Sequence, residues 1–157
     1  MNAIEARLAA LGIHLPTGPV PVANYVPYVV TRHLLVVSGQ ICFGPDGTLA
    51  AAHTGKLGAQ ISETTGTDAA RLCAINVLAQ AKAALGGDLG RISRCIRLGG
   101  FINCVPEYPG LAVIMNGASD VMVQVLGDLG RHARSTVGVA ELPLDAAVEV
   151  EAMFEID

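Results

Sequence analysis

The 157-residue sequence has no tryptophan and only six tyrosines and phenylalanines together. Charged residues make up 15% of the chain, and the formal net charge is −4. Proteins that bind nucleic acids usually combine basic surfaces with stacking aromatics, because phosphates attract cations and bases stack on rings. The sequence therefore predicts no nucleic-acid partner.

Signals for membranes and export are also missing. No apolar run reaches the roughly 18–20 residues that a membrane span needs. The first 15 residues include Glu5 and Arg7 and lack the basic start and apolar centre of a signal peptide. The four cysteines form no C-x-x-C pair, which is typical of reduced thiols. We therefore expect a cytoplasmic protein with no membrane partner.

Metal and nucleotide motifs are missing as well. The four histidines show no ligand spacing, and neither H-E-x-x-H nor G-x-x-x-x-G-K occurs. We expect no metal site and no nucleotide-binding loop.

The length fits one domain over residues 1–157, which would bury roughly 70% of the surface of the unfolded chain. The apolar fraction is 52%, which is high beside so few charges. A large core explains this balance, and so does a surface buried in an oligomer. We favour the oligomer.

Apolar periodicity predicts three helices and a series of strands. The helices are predicted at 3–11, 67–85 and 117–129, and strand signals occur at 25–26, 34–41, 91–103 and in the two C-terminal segments around 134 and 148–156. The predicted order is β-β-β-α-β-α-β-β after the first helix. This order indicates an α+β fold, a mostly antiparallel sheet with two helices on one face and a short N-terminal helix.

Arg134 has the surroundings that most favour a ligand site. Small neighbours leave space around its guanidinium, and strand alternation predicts that Arg134, Thr136 and Gly138 share one face. A guanidinium binds a carboxylate through two parallel hydrogen bonds. A small carboxylate is therefore the first ligand to consider, although an ordinary surface ion pair is the commoner role of an arginine.

Four other candidates also have plainer explanations. Glu149 lies with other glutamates on the polar face of the last strand, where it is either solvated or holds and activates a water. Tyr25 fits an aromatic packed at the rim of an apolar cluster, and Ser38 fits a tight strand end. Asn116 precedes the predicted third helix, so capping explains it.

Together these residues resemble the Rid family, the reactive intermediate deaminases, also called the YjgF family. The most specific part is Ala133-Arg134-Ser135, followed by Leu142-Pro143 and Val148-Glu149-Val150-Glu151. Weaker support comes from Ser38-Gly39-Gln40-Ile41 and from Tyr25-Val26, which begins thirteen residues before Ser38. The N-terminal helix and the segment 116–120 indicate a distinct branch.

The resemblance implies a chorismate-mutase-like fold and a homotrimer with clefts between subunits. Characterised members hydrolyse enamine and imine products of pyridoxal-phosphate enzymes, such as 2-aminoacrylate, to 2-keto acids and ammonia without a cofactor. By resemblance, Arg134 would hold the substrate carboxylate and Glu149 would orient the attacking water. The resemblance implies that the cleft is lined by Tyr25, Ser38, Asn116 and Thr136.

One position departs from the family pattern. The characterised branch commonly has a cysteine two residues after the arginine, whereas this chain has Thr136. Threonine provides a hydroxyl but no thiolate, so the departure argues against cysteine-dependent chemistry and leaves carboxylate binding intact.

Two alternatives to deamination follow from the same residues. The first is a trimer that binds small carboxylates without catalysis, since a fold does not determine a function. The second is RNA cleavage, an activity attached by name to parts of the family. The acidic balance and the lack of a histidine pair disfavour RNA cleavage.

Overall fold

The computed structural model describes residues 2–18 and 23–157. Its regular elements are α1 (Ala3–Ala10), β1 (Tyr28–Thr31), β2 (Leu34–Ile41), α2 (Glu63–Ala84), β3 (Ile92–Asn103), α3 (Leu111–Leu126), β4 (Ala133–Val139) and β5 (Val148–Ile156). The strands form one mixed sheet in the order β1-β2-β5-β3-β4, in which only β3 and β4 are parallel. The α+β fold expected from the sequence is confirmed.

Local capping explains the bounds of the first two helices. The side chain of Asn2 accepts a hydrogen bond from the backbone N–H of Glu5 and starts α1. Ser62 accepts from the N–H of Thr65, so α2 begins four residues before the predicted start. Gly86 and Gly87, both with positive φ, follow its last turn as predicted.

The predicted start of the third helix is wrong. The helix begins six residues earlier, at Leu111, with Gly110 as its N-cap. Gly117 is an interior residue, and a Cβ there would lie 2.1 Å from the backbone oxygen of Thr67 on α2. The glycine permits close packing of two helices and does not mark a helix start, so Asn116 is not a cap.

The described residues before α2 form two strands where three were expected. Tyr25 and Val26 precede β1 and are not in a strand. Between β2 and α2 the chain forms a short 3-10 turn over Ala51–His53 and single bridges, such as the one from Thr54 to Ala146. The bridges join this segment to Ala146 and Cys104, which lie beside the ends of β5 and β3, without extending the sheet.

The two faces of the sheet have different surroundings. Helix α2 packs on β2 and β5, and α3 packs on β3 and β4, so one face is covered by helices. Along β5, Val148, Val150 and Phe154 are fully buried under these helices. Opposite them is an open face, whose exposed apolar residues include Leu34, Val36 and Val137. Within the described ranges, no helix has both the length and the apolar character that a membrane crossing requires.

Candidate functional site

Arg134 lies on the helix-covered face, held by α3. Its register partner on β3 is Leu98, which is fully buried beneath the helices. The guanidinium Nη1 donates to Asn116 Oδ1 at 2.9 Å and to Ser119 Oγ at 3.1 Å. Its Nη2 donates to the carbonyl of Ala112 at 3.1 Å. Helix α3 therefore determines the orientation of the guanidinium.

The charge of Arg134 has no partner in this arrangement. All three of its acceptors are neutral, and no carboxylate in residues 2–18 and 23–157 lies within 4.0 Å of the guanidinium. A guanidinium has five N–H donors. Within the described residues, Nε–H and one Nη2–H are left without an acceptor, and two donors on these two nitrogens suit a carboxylate.

Thr136 follows Arg134 on the same face, as predicted. Its register partner on β3 is Gly100. Met115 of α3 packs directly on this glycine, since a Cβ at Gly100 would lie 2.4 Å from the Met115 Sδ. The Thr136 hydroxyl is buried and has no hydrogen-bond partner among the described residues. A buried unpaired hydroxyl destabilises a fold, and such groups often mark functional positions.

Glu149 lies on the open face, beside a bulge in β2. The pairing of β2 with β5 shifts between Val37 and Gln40, which places an extra residue in β2. The Glu149 carboxylate occupies the space above Gly39, where a Cβ would lie 1.9 Å from Oε1. Burial raises the pKa of Glu149, and the Glu151 carboxylate raises it further. A raised pKa suits a carboxylate that exchanges a proton with water near neutral pH.

Ser38 and Tyr25 belong to the same region as Glu149. Ser38, in the bulge, donates from its hydroxyl to the carbonyl of Val26 at 2.7 Å. This bond ties the segment before β1 to the bulge. Tyr25, which precedes Val26 in the chain, is 57% exposed, so its ring is available at the surface.

The six predicted residues thus form two groups. The arginine half-site comprises Arg134, Asn116 and Thr136, and the glutamate half-site comprises Tyr25, Ser38 and Glu149. The strands that carry Arg134 and Glu149 are separated by β3, so their backbones are about 10 Å apart. The two side chains also leave the sheet on opposite faces. One chain therefore assembles each half-site but does not bring the two together.

Sequence reasoning missed two residues beside Arg134. Ser119 accepts the second Nη1 hydrogen bond, and His132 Nε2 lies 2.9 Å from Ser119 Oγ. Asn116 and Ser119 are three residues apart, a spacing that places them on one face of a helix. That signal was hidden by the wrong start of α3, since the predicted helix left Asn116 outside.

The part of the chain that the structure describes contains no group of three or more histidine, cysteine, aspartate or glutamate side chains placed to hold a metal ion. The donors around Arg134 are amide, hydroxyl and carbonyl oxygens. These oxygens already accept hydrogen bonds from the Arg134 guanidinium, which is a cation, so they are unsuited to binding a metal cation as well.

Comparison with known proteins agrees with this architecture. The family described as "YjgF/chorismate mutase-like, putative endoribonuclease" matches residues 5–156. The protein TCP17 of Trypanosoma cruzi is 45% identical over 98% of this chain and 94% of its own length.

Two solved structures are also similar. Protein Atu1372 of Agrobacterium tumefaciens, described as of unknown function, is 47% identical with a TM-score of 0.91, over 99% of this chain and 93% of that one. TdcF of E. coli, solved with bound serine, is 26% identical with a TM-score of 0.65, over 90% of this chain and 94% of that one. The family match covers nearly the whole chain, and the relatives share its length and fold. This chain belongs to the YjgF/chorismate mutase-like family.

Proposed function

We propose that the chain is the subunit of a homotrimer that hydrolyses enamine and imine intermediates, such as 2-aminoacrylate, to 2-keto acids and ammonia. The reaction would take place in clefts between subunits. The proposal depends mainly on one observation. The guanidinium of Arg134, which has no carboxylate partner among the described residues, lies on one face of the sheet, and the partly buried carboxylate of Glu149 lies on the other.

The separation of the two half-sites supports a cleft between subunits. Within one chain the Arg134 and Glu149 side chains diverge, so they act on one small substrate only if different chains supply them. The half-sites are complementary in charge, since one presents a cation and the other a carboxylate. Joining the arginine half-site of one subunit to the glutamate half-site of the next is a head-to-tail contact, and a rotation of 120° between subunits closes such contacts into a ring of three.

The open face supplies a surface for this assembly. Leu34 and Val36 are each 37% exposed and Val137 is 46% exposed, although all three are large apolar strand residues. Burying such side chains stabilises an interface by roughly 25 cal/mol for each Å² of apolar surface. We propose that a second copy of this chain covers the open face.

The chemistry requires few groups. The enamine tautomerises to an imine, whose carbon is already electrophilic. Glu149 accepts a proton from a water as the water adds to that carbon, and it returns the proton to the nitrogen. The carbinolamine then releases ammonia and leaves the keto acid. Arg134 holds the carboxylate throughout, and fixing the reactants contributes on the order of 7–11 kcal/mol in the best cases.

The other residues complete the cleft. We expect the Thr136 hydroxyl to meet the substrate or the water, because it has no partner in the described chain. Tyr25 and Ser38 line the opposite wall, and Asn116 keeps the guanidinium in place. The serine bound to TdcF is a small amino acid with a carboxylate, which fits a site of this kind.

The test couples the purified protein to a pyridoxal-phosphate-dependent dehydratase and follows keto-acid release. We expect faster release with the wild type and loss of the effect in Arg134→Ala and Glu149→Gln. Light scattering measures the oligomeric state of every variant. No acceleration by the wild type, or full acceleration by Arg134→Ala, would show that the proposal is wrong.

Binding without catalysis is the second candidate, and it is favoured by one observation. The two spare donors of Arg134 require no other residue to bind a carboxylate. Calorimetry with small carboxylates separates the candidates, since tight binding with no turnover selects the second. RNA cleavage is not proposed, because the net charge of −4 opposes binding to a phosphate backbone.

A further inference from the structure

We propose that Ser119 and His132 are positioning residues that set which edge of the Arg134 guanidinium meets a carboxylate ligand. They form a hydrogen-bonded chain that ends at the guanidinium and lies outside the two predicted half-sites. The proposal rests on the proposed function of Arg134 as the carboxylate-binding residue.

The direction of each hydrogen bond follows from its partners. His132 Nδ1 lies 2.6 Å from the carbonyl oxygen of Gly130. A carbonyl oxygen only accepts, so Nδ1 carries the hydrogen, and in the neutral ring Nε2 is then an acceptor. Ser119 Oγ is 2.9 Å from Nε2 and donates its only hydrogen to it. The serine oxygen is left as an acceptor for Arg134 Nη1 at 3.1 Å.

This chain removes the rotational freedom of the serine hydroxyl. A free hydroxyl donates or accepts as its surroundings require. With its hydrogen held by His132, Ser119 presents only lone pairs to the guanidinium. The histidine thus acts on Arg134 through the serine.

The consequence for Arg134 is a restricted set of donors. The two hydrogens of Nη1 are matched by two acceptors, Asn116 Oδ1 and Ser119 Oγ. A ligand carboxylate is therefore directed to Nε and Nη2, the edge that retains free donors. Without the Ser119 acceptor, the guanidinium can rotate and offer Nη1 instead.

A positioning role of this kind changes substrate binding more than the chemical step. The carboxylate stays bound to Arg134 in the ground state and in the transition state, so a looser guanidinium weakens both alike. Such a loss raises KM and leaves kcat unchanged. We expect Ser119→Ala and His132→Leu each to raise KM about tenfold and to change kcat less than twofold.

The experiment uses conservative and matched control variants. His132→Gln retains an acceptor near the Nε2 position and should bind like the wild type. Ser93→Ala is the control for Ser119→Ala, because the Ser93 hydroxyl bonds to the Asp157 carboxylate, five residues along β3 from the register partner of Arg134. The double variant Ser119→Ala/His132→Leu should be no worse than either single variant, since both break one chain.

Two measurements are needed besides turnover. Calorimetry with 2-ketobutyrate gives the affinity for a stable keto acid, which should fall about tenfold with KM. NMR of the guanidinium nitrogens, assigned by the signals lost in Arg134→Lys, reports rotation of the group. Separate Nη signals in the wild type should merge in Ser119→Ala and His132→Leu.

The outcomes distinguish this inference from the proposed function. If Arg134→Ala binds 2-ketobutyrate like the wild type, the proposed function itself is wrong. If Arg134→Ala loses binding while Ser119→Ala and His132→Leu bind normally with separate Nη signals, only the present inference is overturned. Thermal unfolding of each variant checks that it is folded.

Discussion

Replacing Gly39 by alanine displaces the Glu149 carboxylate without changing its chemistry. The backbone of Gly39 does not adopt a positive φ, so alanine is tolerated there. The new Cβ would lie 1.9 Å from Oε1, 2.9 Å from Cδ and 3.2 Å from Cγ of Glu149. The whole end of the glutamate side chain must therefore move.

The size of the movement sets the expected effect. Ordinary van der Waals contacts begin at about 3.4 Å, so Oε1 of Glu149 must move away from the new Cβ by roughly 1.5 Å. A misplacement of about 1 Å at a reacting group can lower a rate by about 100-fold. We expect Gly39→Ala to lower kcat by about 100-fold and to change the free energy of unfolding by less than about 1 kcal/mol.

The assay is the dehydratase-coupled release of keto acid, with unfolding in urea measured in parallel. Gly99→Ala is a matched control on the same open face, because a Cβ at Gly99 would lie 2.7 Å from Glu151 Oε1. It displaces the neighbouring carboxylate and should retain most of the activity. Light scattering shows whether either variant changes assembly.

Two results would refute this reasoning. One is a Gly39→Ala protein with wild-type kcat, which would mean that the position of the Glu149 carboxylate is not critical. The other is an equal loss in Gly99→Ala, which would assign the effect to the open face in general.

Four further predictions concern binding and stability. Arg134→Lys keeps the positive charge but loses the planar pair of N–H donors that matches a carboxylate. Calorimetry should therefore show a Kd for 2-ketobutyrate about tenfold higher, which corresponds to a loss of ~1.4 kcal/mol in binding free energy. Burial of Glu149 raises its pKa in the folded protein, because the folded state disfavours the ionised carboxylate. The free energy of unfolding is therefore higher at low pH, where Glu149 is protonated, and falls as the pH rises through the pKa of the folded state. Denaturation should therefore show Glu149→Gln more stable than wild type at pH 7, with the difference closing below the ordinary value of 4.5. Thr136→Val removes a buried unpaired hydroxyl and should raise the free energy of unfolding by about 1–2 kcal/mol in urea. Gly117→Ala forces a Cβ to 2.1 Å from the Thr67 oxygen, and the same measurement should show a loss of about 2–3 kcal/mol.

The fold was largely predictable because its signals are local. Apolar periodicity placed α1, α2 and the later strands, and strand alternation placed Arg134 with Thr136 and Glu149 opposite the apolar stripe. The errors occurred where packing overrides local signals. Gly117 resembles a helix boundary in sequence, but it lies inside α3 because α2 approaches its backbone.

The candidate site was predictable only in part. The sequence by itself determined which side chains are available, since residue type and strand alternation settle the charge of Arg134 and the face that bears Glu149. Only the tertiary structure decided what those side chains meet. The acceptors on Arg134 lie on a helix, fifteen to twenty-two residues earlier in the chain, and the space for Glu149 comes from a bulge in another strand. Such contacts depend on packing between distant segments, and no periodicity in a single segment records them.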